Sequence, residues 1–337
     1  MKILRKFLFP FAVIYGWITG FRNFLYDNNY LKSSEYSIPI ICVGNLSVGG
    51  TGKSPMIEYL IETLQEDYKI AVLSRGYKRK TSGYLEVLQT HTAEQTGDEP
   101  LQFKNKFPHV TVAVCADRRT GIEQLQKKAE VLLLDDAFQH RKVKADTNIV
   151  LTPYHDLFIN DFMLPTGNLR EPRKGIKRAD IIVVTKCPDT VPYAKLQKIE
   201  YVMPLQNHQK IYFSSIGYDD TIIGKKESLP LDYLSNKKFT LVTGIANPQP
   251  LLDFLKNNNF QFSHKKFSDH HSFSTSEIET LKKEELILTT EKDFMRLKTK
   301  LDKFAFYYLP ITTKIKNDQG PFFKEAILQR VAFKRKS

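Results

Sequence analysis

The sequence predicts an α/β protein: a mostly parallel sheet with helices on both faces, followed by a second, smaller α/β domain joined by a hinge. Two observations carry this expectation. From residue 38 onward, short apolar, β-branched runs alternate with helix-like segments, the pattern of strand-helix-strand units whose buried parallel strands read as continuous hydrophobic runs. The alternation breaks once, around residues 210–238, and then resumes. A chain of 337 residues is long enough for two cores of roughly 100 to 200 residues each.

Taken in order, residues 1–27 hold an uncharged, aromatic-rich run at 7–21, behind Lys2, Arg5 and Lys6 and ahead of Arg22. Spanning a bilayer takes about 20 apolar residues, and this run is shorter and carries Pro10, Gly16 and Gly20. A signal peptide would share the order of charge and then apolar residues, but would add a small-residue cleavage site, and no clear one follows. The segment therefore reads as a helix of the first domain. Either it lies in a membrane interface, with Tyr15, Trp17 and the phenylalanines as apolar contacts, or it packs on the protein.

Residues 28–215 form the main domain, with strands expected at 38–44, 69–74, 110–116, 131–135, 148–152 and 181–185. A strand-like segment at 211–216 leads into a polar stretch at 217–226, and the hinge is placed at 216–238. The smaller domain, 239–337, carries strands at 239–243, 260–262, 286–289 and 304–308 and closes on a helix at 322–333.

Hydrophobic residues make up 42% of the chain and charged residues 26%, an ordinary globular balance that excludes a disordered or fibrous protein. Fifty Lys and Arg against 37 Asp and Glu leave a formal charge of +13, which favours phosphates, nucleic acid or anionic lipid without choosing among them. No helix-turn-helix, zinc-finger or RNA-binding signature accompanies that charge. Cys42, Cys115 and Cys187 are far apart and form no CxxC pair, which argues against a zinc site or disulfide framework and fits a reducing cytoplasm.

The strongest motif is Ser47-Val48-Gly49-Gly50-Thr51-Gly52-Lys53-Ser54, set between an expected strand and a helix-like segment that opens on Pro55. It is G-x-x-x-x-G-K-[ST] with Ser47 in place of the first glycine, and it makes the main domain P-loop NTPase-like. Small residues let backbone N–H groups turn inward around phosphates. Lys53 supplies a point charge to the β and γ oxygens, and Ser54 offers a hydroxyl to Mg2+. Asp135 and Asp136 end an apolar strand, where they anchor a metal or cap the following turn; the P-loop favours the metal. Thr185-Lys186-Cys187-Pro188-Asp189 hints at the guanine-reading [NT]-K-x-D pattern, but its aspartate falls one residue late, and Phe138 stands where a GTPase switch has glycine. A nucleotide-switch protein acting on a protein partner is therefore the alternative reading. Gly97-Asp98-Glu99-Pro100 reads as a loop entering a helix, and Asp98 there is equally a helix N-cap or a catalytic carboxylate.

Further motifs accompany these: Gly44-Asn45-Leu46 before the P-loop, Ser74-Arg75-Gly76-Tyr77, Asp135-Asp136-Ala137-Phe138-Gln139-His140, Leu169-Arg170-Glu171-Pro172, Thr243-Gly244-Ile245-Ala246-Asn247-Pro248, Asp269-His270 and Thr290-Glu291-Lys292-Asp293. Together, and nearly end to end, they resemble the tetraacyldisaccharide 4'-kinase family of lipid A biosynthesis in Gram-negative bacteria. The resemblance implies transfer of the γ-phosphate of ATP to the 4' hydroxyl of an acylated glucosamine disaccharide 1-phosphate, giving the bisphosphorylated lipid A precursor. It implies a peripheral enzyme on the cytoplasmic face of the bacterial inner membrane, with no nucleic acid and no obligate protein partner. An acylated phosphate substrate in an anionic membrane also rewards both a basic surface and an apolar first helix.

For the residues, the resemblance implies Asp98 as the base that takes the acceptor proton. An aspartate with a pKa near 3.9 is a weak base at neutral pH, so assistance is expected, and His270 in the second domain is the matching residue, which would require the domains to close. Ser54, Asp135, Asp136 and Glu171 are the implied Mg2+ shell. Arg119, Gln139, His140 and Arg170 are implied contacts for phosphate or substrate. One departure is Ala137, where the family usually has glycine.

Overall fold

The computed structural model describes residues 5–269, 271–301 and 305–336. Its internal contacts divide the chain into two units, Met1–Ile216 with Thr313–Ser337, and Gly217–Thr312. The strands in chain order are β1 (Ile40–Asn45), β2 (Ile70–Ser74), β3 (Leu85–Glu86), β4 (Thr111–Val114), β5 (Val131–Asp135), β6 (Thr147–Pro153), β7 (Ile181–Thr185), β8 (Lys210–Tyr218), β9 (Thr221–Gly224), β10 (Ser228–Pro230), β11 (Lys238–Thr243), β12 (Gln261–Lys266), β13 (Leu286–Thr289), β14 (Ala305–Tyr308) and β15 (Ile311–Ile315). The helices used below are α1 (Phe9–Asp27), α2 (Lys53–Leu64), α3 (Asp98–Lys106), α4 (Arg118–Leu125), α5 (Tyr193–Val202), α6 (Gln249–Asn257), α7 (Thr275–Leu281), α8 (Glu291–Leu297) and α9 (Gly320–Lys336).

The larger unit is built on one sheet in the order β15-β8-β7-β6-β1-β5-β2-β4-β3. Strands β8 through β4 run parallel, and β3 pairs antiparallel at the edge. Every residue of β1 and β5 is buried, because helices cover both faces of the sheet, as parallel strands require. One face buries Val43, Ile57, Leu60 and Phe103; the other buries Cys42, Leu73, Ile122 and Phe158. The chain leaves the carboxyl end of the central strand β1 directly into the P-loop, and Val43 is in register with Asp135 of β5. That pairing brings the paired aspartates beside the phosphate loop. Gly44 is fixed by crowding, since a Cβ there would lie 2.5 Å from Phe138 Cβ.

Two parts of the domain reading differ from the structure. The closing helix, read with the smaller domain, belongs to the larger unit. Phe323, Ile327 and Val331 of α9 lie in the same core as Ile57 and Leu60, and the Phe323 ring meets those of Tyr59 and Tyr212 at 5.6 and 4.8 Å. The apolar stripe of α9 is visible in sequence, but which sheet it covers is not. Within 216–238, read as hinge, β9 and β10 are strands of the second sheet.

The smaller unit holds a sheet in the order β10-β9-β14-β13-β11-β12. Strands β14, β13, β11 and β12 are parallel, and β9 pairs antiparallel with both β14 and β10. Two of the recognised motifs meet there as a structural clamp. Fully buried Asp293 accepts hydrogen bonds from the Gly244 N–H at 2.8 Å and the Thr290 hydroxyl at 2.7 Å.

Helix α1 inverts the usual amphipathic arrangement. Its buried residues are Ala12, Thr19 and Asn23, whereas Phe9, Phe11, Ile14, Trp17, Ile18 and Phe21 are exposed, Trp17 by 79%. A surface helix normally turns its apolar stripe to the core. This one packs through small and polar side chains, with Tyr15 Oη donating to the Arg170 carbonyl at 3.0 Å. Among the described residues no helix is long and apolar enough to cross a membrane.

Candidate active site

The P-loop turns through two left-handed glycines, Gly49 at φ +113° and Gly52 at φ +92°, positions where a side chain would be strained. Asn45 at the end of β1 sets its shape: the amide nitrogen donates to the Ser47 carbonyl at 2.6 Å and to Thr51 Oγ1 at 3.0 Å. From the other side Thr185 Oγ1 donates to the Thr51 carbonyl at 2.7 Å, and Lys186 Nζ donates to the Gly50 carbonyl. Thr185 and Lys186, whose motif hinted at base recognition, therefore buttress the loop. Helix α2 begins at Lys53, capped by Gly52, so the lysine and Ser54 stand at a helix N-terminus that favours anions.

Ser54 makes the contact that organises the site. Its Oγ donates to Glu99 Oε1 at 2.7 Å, which joins the P-loop to the first turn of α3. Gly97, at φ +91°, occupies the N-cap position, and Asp98 is the first helical residue, so the residue at the cap is the glycine. Glu99 received no role from the sequence, although it lies inside a recognised motif.

Around Ser54 and Lys53 the carboxylates accumulate. Asp135 is 2% exposed; one oxygen accepts from Ser74 Oγ at 2.9 Å, and Oδ1 has no hydrogen-bond partner among the described residues. Burial first, then the neighbouring Glu99 and Asp136 charges, push its pKa to about 7, against Lys53 and the Ser74 bond, which pull it down. Buried Arg118 reaches under the cluster, donating to the Asp135 carbonyl at 3.4 Å and to the Cys115 carbonyl at 3.0 Å. Asp136 turns out of the strand at φ +48°, a conformation that aspartate tolerates better than most residues. It lies 3.7 Å from Lys53 Nζ and accepts two bonds from Arg170 Nη1 at 2.9 and 3.1 Å. Arg170 Nη2 returns to Asn45 Oδ1 at 3.0 Å. Loop, lysine and aspartate are thus one network.

Of the expected metal shell, the structure brings Ser54, Asp135 and Asp136 together but not Glu171. Glu171 is fully buried, and both its oxygens are taken: Arg178 Nη2 donates to them at 2.9 and 2.8 Å, Gln139 Nε2 to one at 2.8 Å and Asn23 Nδ2 to the other at 2.7 Å. These bonds tie Glu171 to α1 through Asn23 and to Gln139, which also donates to the Asn45 carbonyl at 2.9 Å. Arg119 is likewise not drawn into the cluster; it pairs at 3.0 Å with Asp117, the N-cap of its own helix α4. His140 is half-buried, its Nε2 has no hydrogen-bond partner among the described residues, and burial, with Arg118 nearby, lowers its pKa to about 4. It is therefore neutral at physiological pH. His270 lies outside the described residues.

The residues fit Mg2+. The donors at Ser54 are hard oxygens, and the buried Asp135 Oδ1 is unsatisfied. Among the described residues no three His, Cys, Asp or Glu side chains form a preformed metal cage, which accords with an ion that takes only one or two carboxylates and completes its octahedron with water and nucleotide phosphate.

A parallel sheet, a P-loop at its central strand and carboxylates on the neighbouring strand define a P-loop nucleotide-binding protein. A family model described as LpxK, tetraacyldisaccharide-1-P 4'-kinase, matches residues 4–332. The chain is 49% identical over 335 residues to the tetraacyldisaccharide 4'-kinase of Flavobacterium psychrophilum, covering 97% of each. It is 49% identical over 328 residues to that of Flavobacterium johnsoniae, covering 96% of each. Among solved structures it is similar to the "apo" form of LpxK from Aquifex aeolicus in complex with ATP, with a TM-score of 0.80 and 32% identity over 97% of this chain and 99% of that one. The chain belongs to the tetraacyldisaccharide 4'-kinase family.

The raised pKa of Asp135 has a testable consequence. A carboxyl whose folded pKa exceeds its unfolded value opposes folding once the pH passes that unfolded value, here 3.8, and the cost levels off above about 7. Asp135→Asn removes the ionisation. In metal-free protein its melting temperature should match the parent near pH 4 and gain steadily up to pH 7, measured by scanning fluorimetry in EDTA. A gain independent of pH would contradict the assignment.

Proposed function

We propose that this chain transfers the γ-phosphate of ATP to the 4' hydroxyl of a tetraacyldisaccharide 1-phosphate, with the P-loop holding the nucleotide and Asp98 facing the acceptor. The observation that carries the residue assignment is the 2.7 Å bond from Ser54 to Glu99. It sets the end of α3, and hence Asp98, against the phosphate loop. In phosphoryl transfer the protein contributes position and charge rather than covalent chemistry. The backbone N–H groups of residues 47–54 and Lys53 bind the β and γ phosphates. Ser54 with Asp135 and Glu99 would hold Mg2+, which neutralises phosphate charge. Asp136 and Arg170 fix Lys53 and the loop, leaving Asp98 to accept the proton of the attacking hydroxyl.

The acceptor is a lipid, and α1 supports a site of action at a membrane surface. Its outward aromatic and aliphatic residues suit burial in the headgroup region, while the net charge of +13 suits anionic lipid. We place the chain as a peripheral enzyme on the cytoplasmic face of the inner membrane, where ATP is available.

Two outcomes test this reading. Asp98→Ala should lower kcat on detergent-dispersed disaccharide 1-phosphate by about 10²-fold or more, with the affinity for ATP unchanged by fluorescent-nucleotide titration. Parallel loss of turnover and ATP binding would make Asp98 structural. Trp17→Glu with Phe21→Glu should abolish flotation with anionic vesicles without lowering the melting temperature, since both side chains are exposed. Flotation at the parent level would leave α1 without a membrane role.

A further inference from the structure

Helices α2 and α3 are tied at a second level, one turn beyond the Ser54–Glu99 contact. Glu58, four residues after Ser54, is 3% exposed, within the core that contains Ile57, Ile61, Leu101 and Phe103. Its Oε1 accepts from Gln102 Nε2 at 2.8 Å, and its Oε2 accepts from Lys106 Nζ at 2.7 Å. Positions 54 and 58 on one helix and 99, 102 and 106 on the other repeat at three- and four-residue steps, so each set lies on one face. The polar contacts run as a ladder along an otherwise apolar seam.

Such a ladder is a poor way to gain stability. Burial raises the pKa of the Glu58 carboxyl, against Lys106 and Gln102, with Glu62 adding like charge. Replacing a buried ion pair by apolar groups of similar volume is often neutral or stabilising. The best-attested use of such directional bonds in an apolar seam is to fix register.

We infer that Glu58 is a positioning residue: with Gln102 and Lys106 it fixes the axial and rotational register of α3 against the P-loop helix, and so holds Asp98 and Glu99 at Ser54. The inference rests on the proposal that the N-terminal end of α3 belongs to the reaction centre. A slip of one residue moves a helical position about 1.5 Å along its axis and about 100° around it, and a misplacement of about 1 Å can cost 10²-fold in rate.

The test replaces the ladder with apolar side chains, Glu58→Leu, Gln102→Leu and Lys106→Met together. The expected result is a melting temperature at or above the parent, an unchanged KM for ATP, a kcat lowered by about tenfold or more, and a higher Mg2+ concentration for half-maximal rate. A merely structural ladder would leave kcat and the Mg2+ dependence at parent values in the folded variant, and that result overturns the inference. If the triple variant does not fold, Glu58→Gln under the same measurements decides, since it keeps the size and the bond to Gln102 but gives up the ion pair. The same fall in kcat with raised Mg2+ demand supports the inference, and parent kinetics refute it. Asp98→Ala measured alongside separates the two levels. Retained kcat there defeats the placement of α3 and the inference with it, whereas lost kcat there with parent kinetics in the ladder variants defeats the inference alone.

Discussion

The constraint on which the site depends is the crowding of negative charge at the carboxyl edge of a buried sheet. Glu99, Asp135 and Asp136 stand around a single P-loop lysine, and Asp135 is driven to a pKa of about 7 by its burial and its neighbours. Left alone, such a group destabilises the fold. The surrounding structure offsets this with Lys53 beside the pair, Ser74 on one Asp135 oxygen and Arg170 clasping Asp136. The remaining unsatisfied oxygen is what a divalent cation and the polyphosphate it carries would meet. Strain kept at a functional site in this way is a common exchange of stability for activity.

The second organising feature is the inside-out helix α1. Its inner face is polar because it docks on the same network: Asn23 reaches Glu171, Tyr15 reaches the Arg170 carbonyl, and Arg170 reaches Asp136. Its outer face is apolar. The segment proposed to meet the lipid is therefore joined by hydrogen bonds to the residues proposed to hold the nucleotide phosphates.

Much of this was legible in the sequence, and the reasons differ from element to element. The central strands announced themselves as continuous β-branched runs, since burial on both faces leaves no room for polar residues. The P-loop was legible because phosphate binding demands small residues and one lysine at fixed spacing. Partner choice was not legible. Glu171 carries the same carboxylate as Asp136, and only the fold reveals that Arg178, Asn23 and Gln139 have already claimed it. Glu99 lies within a recognised motif, but nothing local in the sequence says that it faces Ser54. Thr185 and Lys186 fit a base-reading pattern by type, yet they brace Thr51 and Gly50. The destination of α9 depended on topology, which periodicity does not encode.

The most direct measurement of the central claim is the position of the phosphate in the product. The chain, incubated with ATP, Mg2+ and tetraacyldisaccharide 1-phosphate, should give a lipid whose new phosphorus resonance correlates with the 4' ring proton in a two-dimensional phosphorus–proton spectrum, while the 1-phosphate signal is retained. A new phosphate coupled to any other ring proton, or ATP consumed to inorganic phosphate with the lipid unchanged, would contradict it.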